Sequence, residues 1–201
     1  METEKQNLVL KNRIIMKQIL FLLIIIATVC KAQIYPFNTK VSDLPPNAYI
    51  KDIDGELDKY IGIWVGNWNG KTIYIEMKKV KYYYEDSNYP YYKDMILGER
   101  KIVSSNGIVE IDRITNFDYE NAEISGIFNS FNQKKKFIFS PENMCNKQIT
   151  LYIENYTTNQ MTLHFEYLPS LYDSSCIHNA YEQQHGDFPI NFPKDIILTK
   201  Q

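Results

Sequence analysis

The chain has 201 residues, 44% of them hydrophobic, and carries 22 Lys/Arg against 24 Asp/Glu for a net charge of −2. That length can bury a real core as one domain. The lack of a basic excess excludes a nucleic-acid binder held by phosphate contacts.

The N-terminus predicts an export leader. Lys11, Arg13 and Lys17 form a basic region, and Ile19 to Val29 (ILFLLIIIATV) is an eleven-residue apolar run. The run is too short for a comfortable membrane span and Lys31 closes it. Ala32 then offers a small residue for signal peptidase, so residues 1–32 read as a secretory signal cut before Gln33, with Met16 as the true start. The alternative is a lipoprotein signal ending at Cys30, although Val29 stands where that machinery favours a small residue. Cleavage removes five of the 22 Lys/Arg and two of the 24 Asp/Glu, leaving 169 residues with a net charge of −5. It also removes Cys30 and leaves Cys145 and Cys176. In an exported chain these predict one disulfide closing a loop of about thirty residues, worth on the order of 3 kcal/mol. Neither cysteine has a CxxC partner, which argues against a catalytic thiol or a metal ligand.

Residues 33–48, with Pro36, Pro45 and Pro46, predict an extended lead-in. Residues 49–201 then form a single β domain. In DIDGELDKYIGIW, Asp54 is placed to cap a short helix over Glu56 to Ile61, which Gly62 stops. After Gly62 the period becomes two. Trp64, Gly66 and Trp68 share one strand face, and Ile63, Val65 and Asn67 the other. Asn69-Gly70 is a hairpin signal, since both central residues of a type I′ turn need positive φ. The return strand puts Ile73, Ile75 and Met77 on one face.

Further strands follow at short spacing. Val80 to Tyr84 is β-rich, and Asn88 to Pro90 breaks it. Tyr91 to Ser104 is one long strand with a kink at Gly98. Asn106-Gly107 offers a second hairpin turn into Ile108 to Ile114. Glu123 to Asn129, Lys135 to Ser140, Gln148 to Asn155, Gln160 to Leu168 and Asp195 to Lys200 complete the series. About nine or ten strands with almost no helical period predict an antiparallel meander, closed as a barrel or packed as a sandwich. Pro169 to Lys194 has neither period. Its apolar residues, among them Leu171, Tyr172, Ile177, Tyr181, Phe188, Ile190 and Phe192, predict an ordered flap pinned by Cys176 across one end or face of the sheet.

The short ELDKYI segment followed by Gly62-Ile63-Trp64 resembles the opening of a lipocalin. That resemblance implies a small helix, a Gly-x-Trp on the first strand, and a tryptophan closing one barrel end. It covers about twenty residues. Lipocalins also place a late basic residue over that tryptophan. None is assigned from the sequence, where Arg100 and Arg113 are the only arginines after the leader and Lys194 precedes the last strand. The segments ELDKYIGIWVGNWNGKTIY, ILGERKI, PENMCNKQITLYI, QMTLHFEYLPSLYD, CIHNAY and GDFPINFPKDIILTKQ resemble a family of small exported proteins of flavobacterium-like bacteria, a domain of unknown function. This implies export and a shared fold, and no reaction.

Candidate chemistry is sparse. His164 shares a face with Thr162 and Glu166, opposite Met161, Leu163, Phe165 and Tyr167. It reads either as a solvent-facing histidine or as a polar group inside a barrel cavity. His178, Glu182, His185 and Asp187 lie close in the flap but without metal-ligand spacing. Asp173, Ser174 and Ser175 lack the glycines of a nucleophile elbow. Glu110 and Asp112 share a strand face and read as a solvated surface more readily than as a catalytic pair. Tyr82, Tyr83, Tyr84, Tyr89, Tyr91 and Tyr92 cluster around one turn, as a contact surface for protein or glycan or as plain β-propensity.

These readings converge on an all-β fold, a lipocalin-like meander barrel with a short N-terminal helix, with a β-sandwich as the alternative. The expected function is that of an exported, non-enzymatic binding protein for a small apolar or amphipathic ligand, with Trp64 and Trp68 near the closed end. The alternative is an interaction module acting through the tyrosine-rich surface. Ligand contacts are expected from Trp64, Trp68, Tyr82, Tyr84, Tyr91 and His164. No catalytic residue, metal, cofactor, nucleic acid or membrane span of the mature chain is expected. Gly66, Gly98 and Gly126 either open a cavity or allow the sheet to curve.

Overall fold

The computed structural model describes residues 13, 15–19, 33–85, 90–129, 134–141, 145, 149–167, 175–186, 188–189 and 191–201. Nearly all of the leader, Cys30, Tyr89, Leu171, Tyr172, Asp173, Ser174, Asp187 and Ile190 lie outside the described residues. Among the described residues there are eleven strands: β1 Ile34–Pro36, β2 Tyr49–Lys51, β3 Gly62–Trp68, β4 Lys71–Tyr84, β5 Tyr91–Val103, β6 Val109–Asp112, β7 Ile124–Asn129, β8 Lys135–Phe139, β9 Ile149–Tyr156, β10 Gln160–Glu166 and β11 Asp195–Lys200. Residues 13 and 15–19 are helical, and the helix α1 spans Asn179–His185 and ends on Gly186 in the left-handed conformation. Among the described residues no helix is long and apolar enough to cross a membrane.

The sheet closes on itself. β3, β4, β5, β7, β8, β9, β10 and β11 form an eight-stranded antiparallel barrel in which each strand lies beside its chain neighbour. Two pairings close the ring. β11 meets β3 at Thr199–Val65 and Lys200–Trp64. β5 meets β7 at Leu97–Ser125 and Gly98–Ile124. Closure leaves no long unpaired edge, which an open sandwich of the same strands would expose.

β5 organises the rest. One of its edges pairs with β4 from Tyr91 to Val103. Its other edge is shared in sequence by β2 in parallel, by β7, and by β6. The β4–β5 hairpin thereby extends past the barrel and carries β1 and β2 over a small second core of Leu44, Ala48, Ile50 and Tyr91.

Local chemistry explains the turns. Asn69 and Gly70 both have positive φ, as the two-residue hairpin requires. The second Asn-Gly behaves differently. Only Gly107 is at positive φ, and the loop spans Ser104 to Ile108, with Ser104 Oγ accepting the Ile108 N–H at 3.1 Å. A bulge at Ile102/Val103 shifts the register and makes the longer loop necessary. The expected N-terminal helix is a single 3-10 turn over Asp58–Tyr60. Its orphan N–H groups at Glu56 and Leu57 donate to Asp52, at 2.7 and 3.0 Å, and not to Asp54. Asp52 is held for this role by its own N–H, which donates to Asp94 Oδ2.

The described inward side chains pack into one core. Alternation places Ile73, Ile75 and Met77 of β4 and Met161, Leu163 and Phe165 of β10 inward, with Trp64, Phe137 and Phe139 fully buried among them. Each such side chain contributes roughly 1.5–3 kcal/mol on burial. The glycines tighten the wall instead of opening it. A Cβ on Gly66 would meet Ile196 Cδ1 at 2.7 Å and the Ile197 carbonyl at 2.8 Å. One on Gly98 would meet Ile124 Cβ at 3.2 Å. Gly126, at φ +81°, sits in the bulge of β7.

The flap is tied down at both ends of its described part. Cys145 and Cys176 form a disulfide. Phe188 and Phe192 then enter the barrel core, where Phe192 lies 5.0 Å from Phe139 and 6.2 Å from Phe165, ring centre to ring centre.

Candidate functional site

The two ends of the β3–β4 hairpin differ in character. Beyond Gly62, Trp64 Nε1 donates to the Tyr60 carbonyl at 2.8 Å, and the Tyr156 hydroxyl donates to the Lys59 carbonyl at 2.9 Å. Lys200 lies with its ammonium 5.4 Å from the Trp64 ring centre and donates to the same Lys59 carbonyl at 3.2 Å. Trp64 is thus sealed at 0% exposure. Lys200 of β11 thus covers Trp64.

At the opposite end, beside Asn69 and Gly70, is a cavity of about 480 Å³. That lies within the range of small-ligand sites, about 300–1,000 Å³. Its walls are Trp68 of β3, Lys71 of β4, Ile102 of β5, and Glu110 and Ile111 of β6. Its base is formed by Arg100, Arg113, Glu123 and Asn191.

The base is a charge network built on an interior strand position. On β5, Arg100 pairs across to Ile75 and Ile102 to Ile73, so Arg100 points into the barrel and is fully buried. A buried guanidinium persists only when its donors are met. Arg100 Nε donates to Glu123 Oε2 at 2.6 Å and Nη2 to Oε1 at 3.2 Å. Nη1 donates to the carbonyl and Oδ1 of Asn191, at 2.8 and 2.6 Å. The guanidinium also lies 5.0 Å from the Phe139 ring centre. Asn191 belongs to the flap, so the flap supplies part of the floor.

Glu99 points the other way and is fully buried beneath the segment joining β6 to β7. Arg113 grips it with two hydrogen bonds, at 2.8 and 3.1 Å, and also donates to the Asn121 carbonyl. Burial pushes the Glu99 carboxyl up, and the Arg113 hydrogen bonds oppose that shift. The same hydrogen bonds push Arg113 up. Glu123, just before β7, stands between the two arginines, with Arg113 Nε 3.8 Å away. At the rim, Lys71 pairs with Glu110 at 2.6 Å, and each is about one-third exposed (33% and 36%). The Lys71 ammonium lies 5.4 Å from the Trp68 ring centre.

Of the expected contact residues, Trp68 lines this cavity and Trp64 lies in the core at the other end. Tyr82, Tyr84 and Tyr91 lie on the extended β4–β5 arm, where Tyr84 stacks on Tyr91 at 4.9 Å and meets Tyr82 at 5.0 Å. Burial pushes the Tyr84 hydroxyl up to about 12. His164 is on the outer face of β10, its Nδ1 2.7 Å from Asp195. In the flap, His178 meets the Phe188 ring edge-on and His185 stacks on Tyr181. Glu110 and Asp112 are ion-paired, to Lys71 and Lys101. Among the described residues no group of three His, Cys, Asp or Glu is placed to hold a metal.

Sequence reasoning missed Arg100, Glu123, Lys71, Arg113 and Asn191 as a group. One signal was available: an arginine in the period-two series of Ile96, Gly98 and Ile102 on β5. Such a residue needs a buried acid, and the sequence does not say which.

No curated protein and no solved structure matches the chain. The model of one family, the Family of unknown function (DUF6705), matches residues 16–201. The chain therefore belongs to that family.

Proposed function

We propose that this is an exported, non-enzymatic protein that holds one small amphipathic ligand at the mouth of its barrel. The observation that carries the reading is the cavity bounded by Trp68, Ile102 and Ile111 and floored by Arg100 and Glu123. Apolar walls with a few fixed polar groups are what small-ligand sites present. The packing of the described core side chains supports a ligand at the mouth more than one along the barrel axis. Export is supported by the leader pattern of residues 1–32 and by the Cys145–Cys176 disulfide, which persists in oxidising compartments.

Native mass spectrometry of the protein taken from the export compartment of its own host tests this. A retained small molecule, lost on Trp68→Ala, is the expected result. A bare chain from every preparation overturns it. The same spectrum reports whether the chain begins at Gln33 or carries lipid on Cys30.

A second reading rests on the tyrosine arm. Tyr83 is 39% exposed and packs 4.7 Å from Tyr92, and Lys81 lies 4.1 Å from the Tyr92 ring. A projecting, amphipathic, cation-bearing surface suits a protein or glycan partner. Loss of a partner on Tyr83→Ala, with the Trp68 cavity unaffected, would favour this reading.

A further inference from the structure

The mouth of the barrel also carries information about the class of its ligand. From it we infer that the site takes a neutral, polyhydroxylated molecule such as a mono- or disaccharide, with one ring stacked on Trp68. The inference rests on the reading of the mouth as a ligand site.

The charges decide the class. Lys71 is paired with Glu110, Arg100 with Glu123, and Arg113 with Glu99, at 2.6, 2.6 and 2.8 Å. An ionic ligand adds a charge to a partly dry site whose cations and carboxylates are already matched. An apolar ligand strips water from the same groups and returns no hydrogen bond. A hydroxyl does neither. It donates to a carboxylate oxygen and accepts from a cationic N–H without altering the charge balance.

The remaining groups suit such a ligand. A carboxylate accepts more hydrogen bonds than the single one Lys71 gives Glu110. Asn191 receives Arg100 on Oδ1, which orients its amide nitrogen as a donor. Trp68, Ile102 and Ile111 are apolar surfaces beside these polar groups, matching a pyranose that has one C–H face and a hydroxyl rim.

The chain has two tryptophans, so its ¹H–¹⁵N spectrum has two indole signals. Trp64, buried and bonded to Tyr60, reports the fold; Trp68 reports the mouth. The ¹⁵N-labelled, oxidised protein is titrated separately with cellobiose, N,N′-diacetylchitobiose, decanoate and hexanol. A neutral sugar should move the Trp68 indole and leave Trp64 in place, with an affinity little changed by added salt. Glu110→Gln should weaken it about tenfold, and Trp68→Leu should abolish the sugar-induced shifts of the Lys71 and Ile111 amides while the Trp64 signal persists. Decanoate or hexanol moving Trp68 when neither sugar does overturns the ligand class and leaves the mouth as the site. No probe moving Trp68 overturns both. Sugar-induced amide shifts that survive Trp68→Leu show binding without a ring stacked on Trp68 and overturn the inference.

Discussion

Lys200 lies over Trp64, its ammonium 5.4 Å from the indole centre and 3.2 Å from the Lys59 carbonyl. One side chain therefore joins the last barrel strand to the first and to the 3-10 turn that precedes it. The contact acts where the ring closes, since the ladder of β11 to β3 is short, with Thr199 and Lys200 paired to Val65 and Trp64 and the Gln201 N–H donating to the Ile63 carbonyl. Lys200→Ala removes a cation–π contact and a carbonyl's hydrogen-bond partner. A loss of about 1–2 kcal/mol is expected in urea unfolding, and Lys200→Arg should restore most of it. A variant as stable as the parent would show that the closure does not depend on this contact.

Arg100 and Glu123 should behave as a unit. Arg100→Met leaves the Glu123 carboxylate, 4% exposed, with only Arg113 at 3.8 Å. A loss of about 3–5 kcal/mol is expected for removing one member of a buried pair. Arg100→Met combined with Glu123→Leu should recover at least half, because no charge is then stranded. Equal losses in the single and double variants would mean that packing, and not charge, is what the pair supplies.

Much of the barrel was legible because its strands are half-buried. Met161, Leu163 and Phe165 alternate with Thr162, His164 and Glu166, and period two follows directly. Asn69-Gly70 declared its turn through the positive φ both residues need. The two cysteines paired by elimination once the leader was set aside. The site was not legible, because it is made by distance. Arg100 meets Asn191 across 91 residues and Glu123 across 23, and no local pattern encodes either meeting. Lys200 was overlooked for a related reason. An exposed-looking lysine in an alternating strand announces nothing until the barrel closes and puts a tryptophan beneath it.

Two carboxylates should pull the pH dependence of stability in opposite directions. The Lys101 hydrogen bond, with support from Thr115, holds Asp112 down at about 2, below the ordinary 3.8. Its folded form prefers the charged state. Its contribution is therefore present above the ordinary value and is lost as pH falls from 3.8 through about 2. Glu99 is raised by burial, so its contribution is present at low pH and is lost as pH rises past the ordinary glutamate value. Thermal unfolding followed between pH 2 and 7 should show a shallower acid limb for Asp112→Asn than for the parent. Glu99→Gln should remove the opposing trend. An acid limb unchanged by Asp112→Asn would count against this assignment.

Gly66 tests whether close approach or cavity space explains the barrel glycines. It sits on β3 directly across from Ile73, with β11 on its other side. The methyl of an alanine there would lie 2.8 Å from the Ile197 carbonyl, a backbone atom that cannot swing away. At Gly98 the nearest atom is Ile124 Cβ at 3.2 Å, where a shift of a few tenths of an ångström suffices. Gly66→Ala should therefore cost about 2–3 kcal/mol, and Gly98→Ala clearly less. The damage should be specific. Forcing β11 from β3 also moves Lys200 off Trp64, so hydrogen exchange should quicken at the amide of Gln201, which donates to the Ile63 carbonyl, before the β4–β5 ladder responds. If Gly66→Ala were neutral, the strands would have slack at the seam, and close approach of β3 to β11 would not account for the glycine.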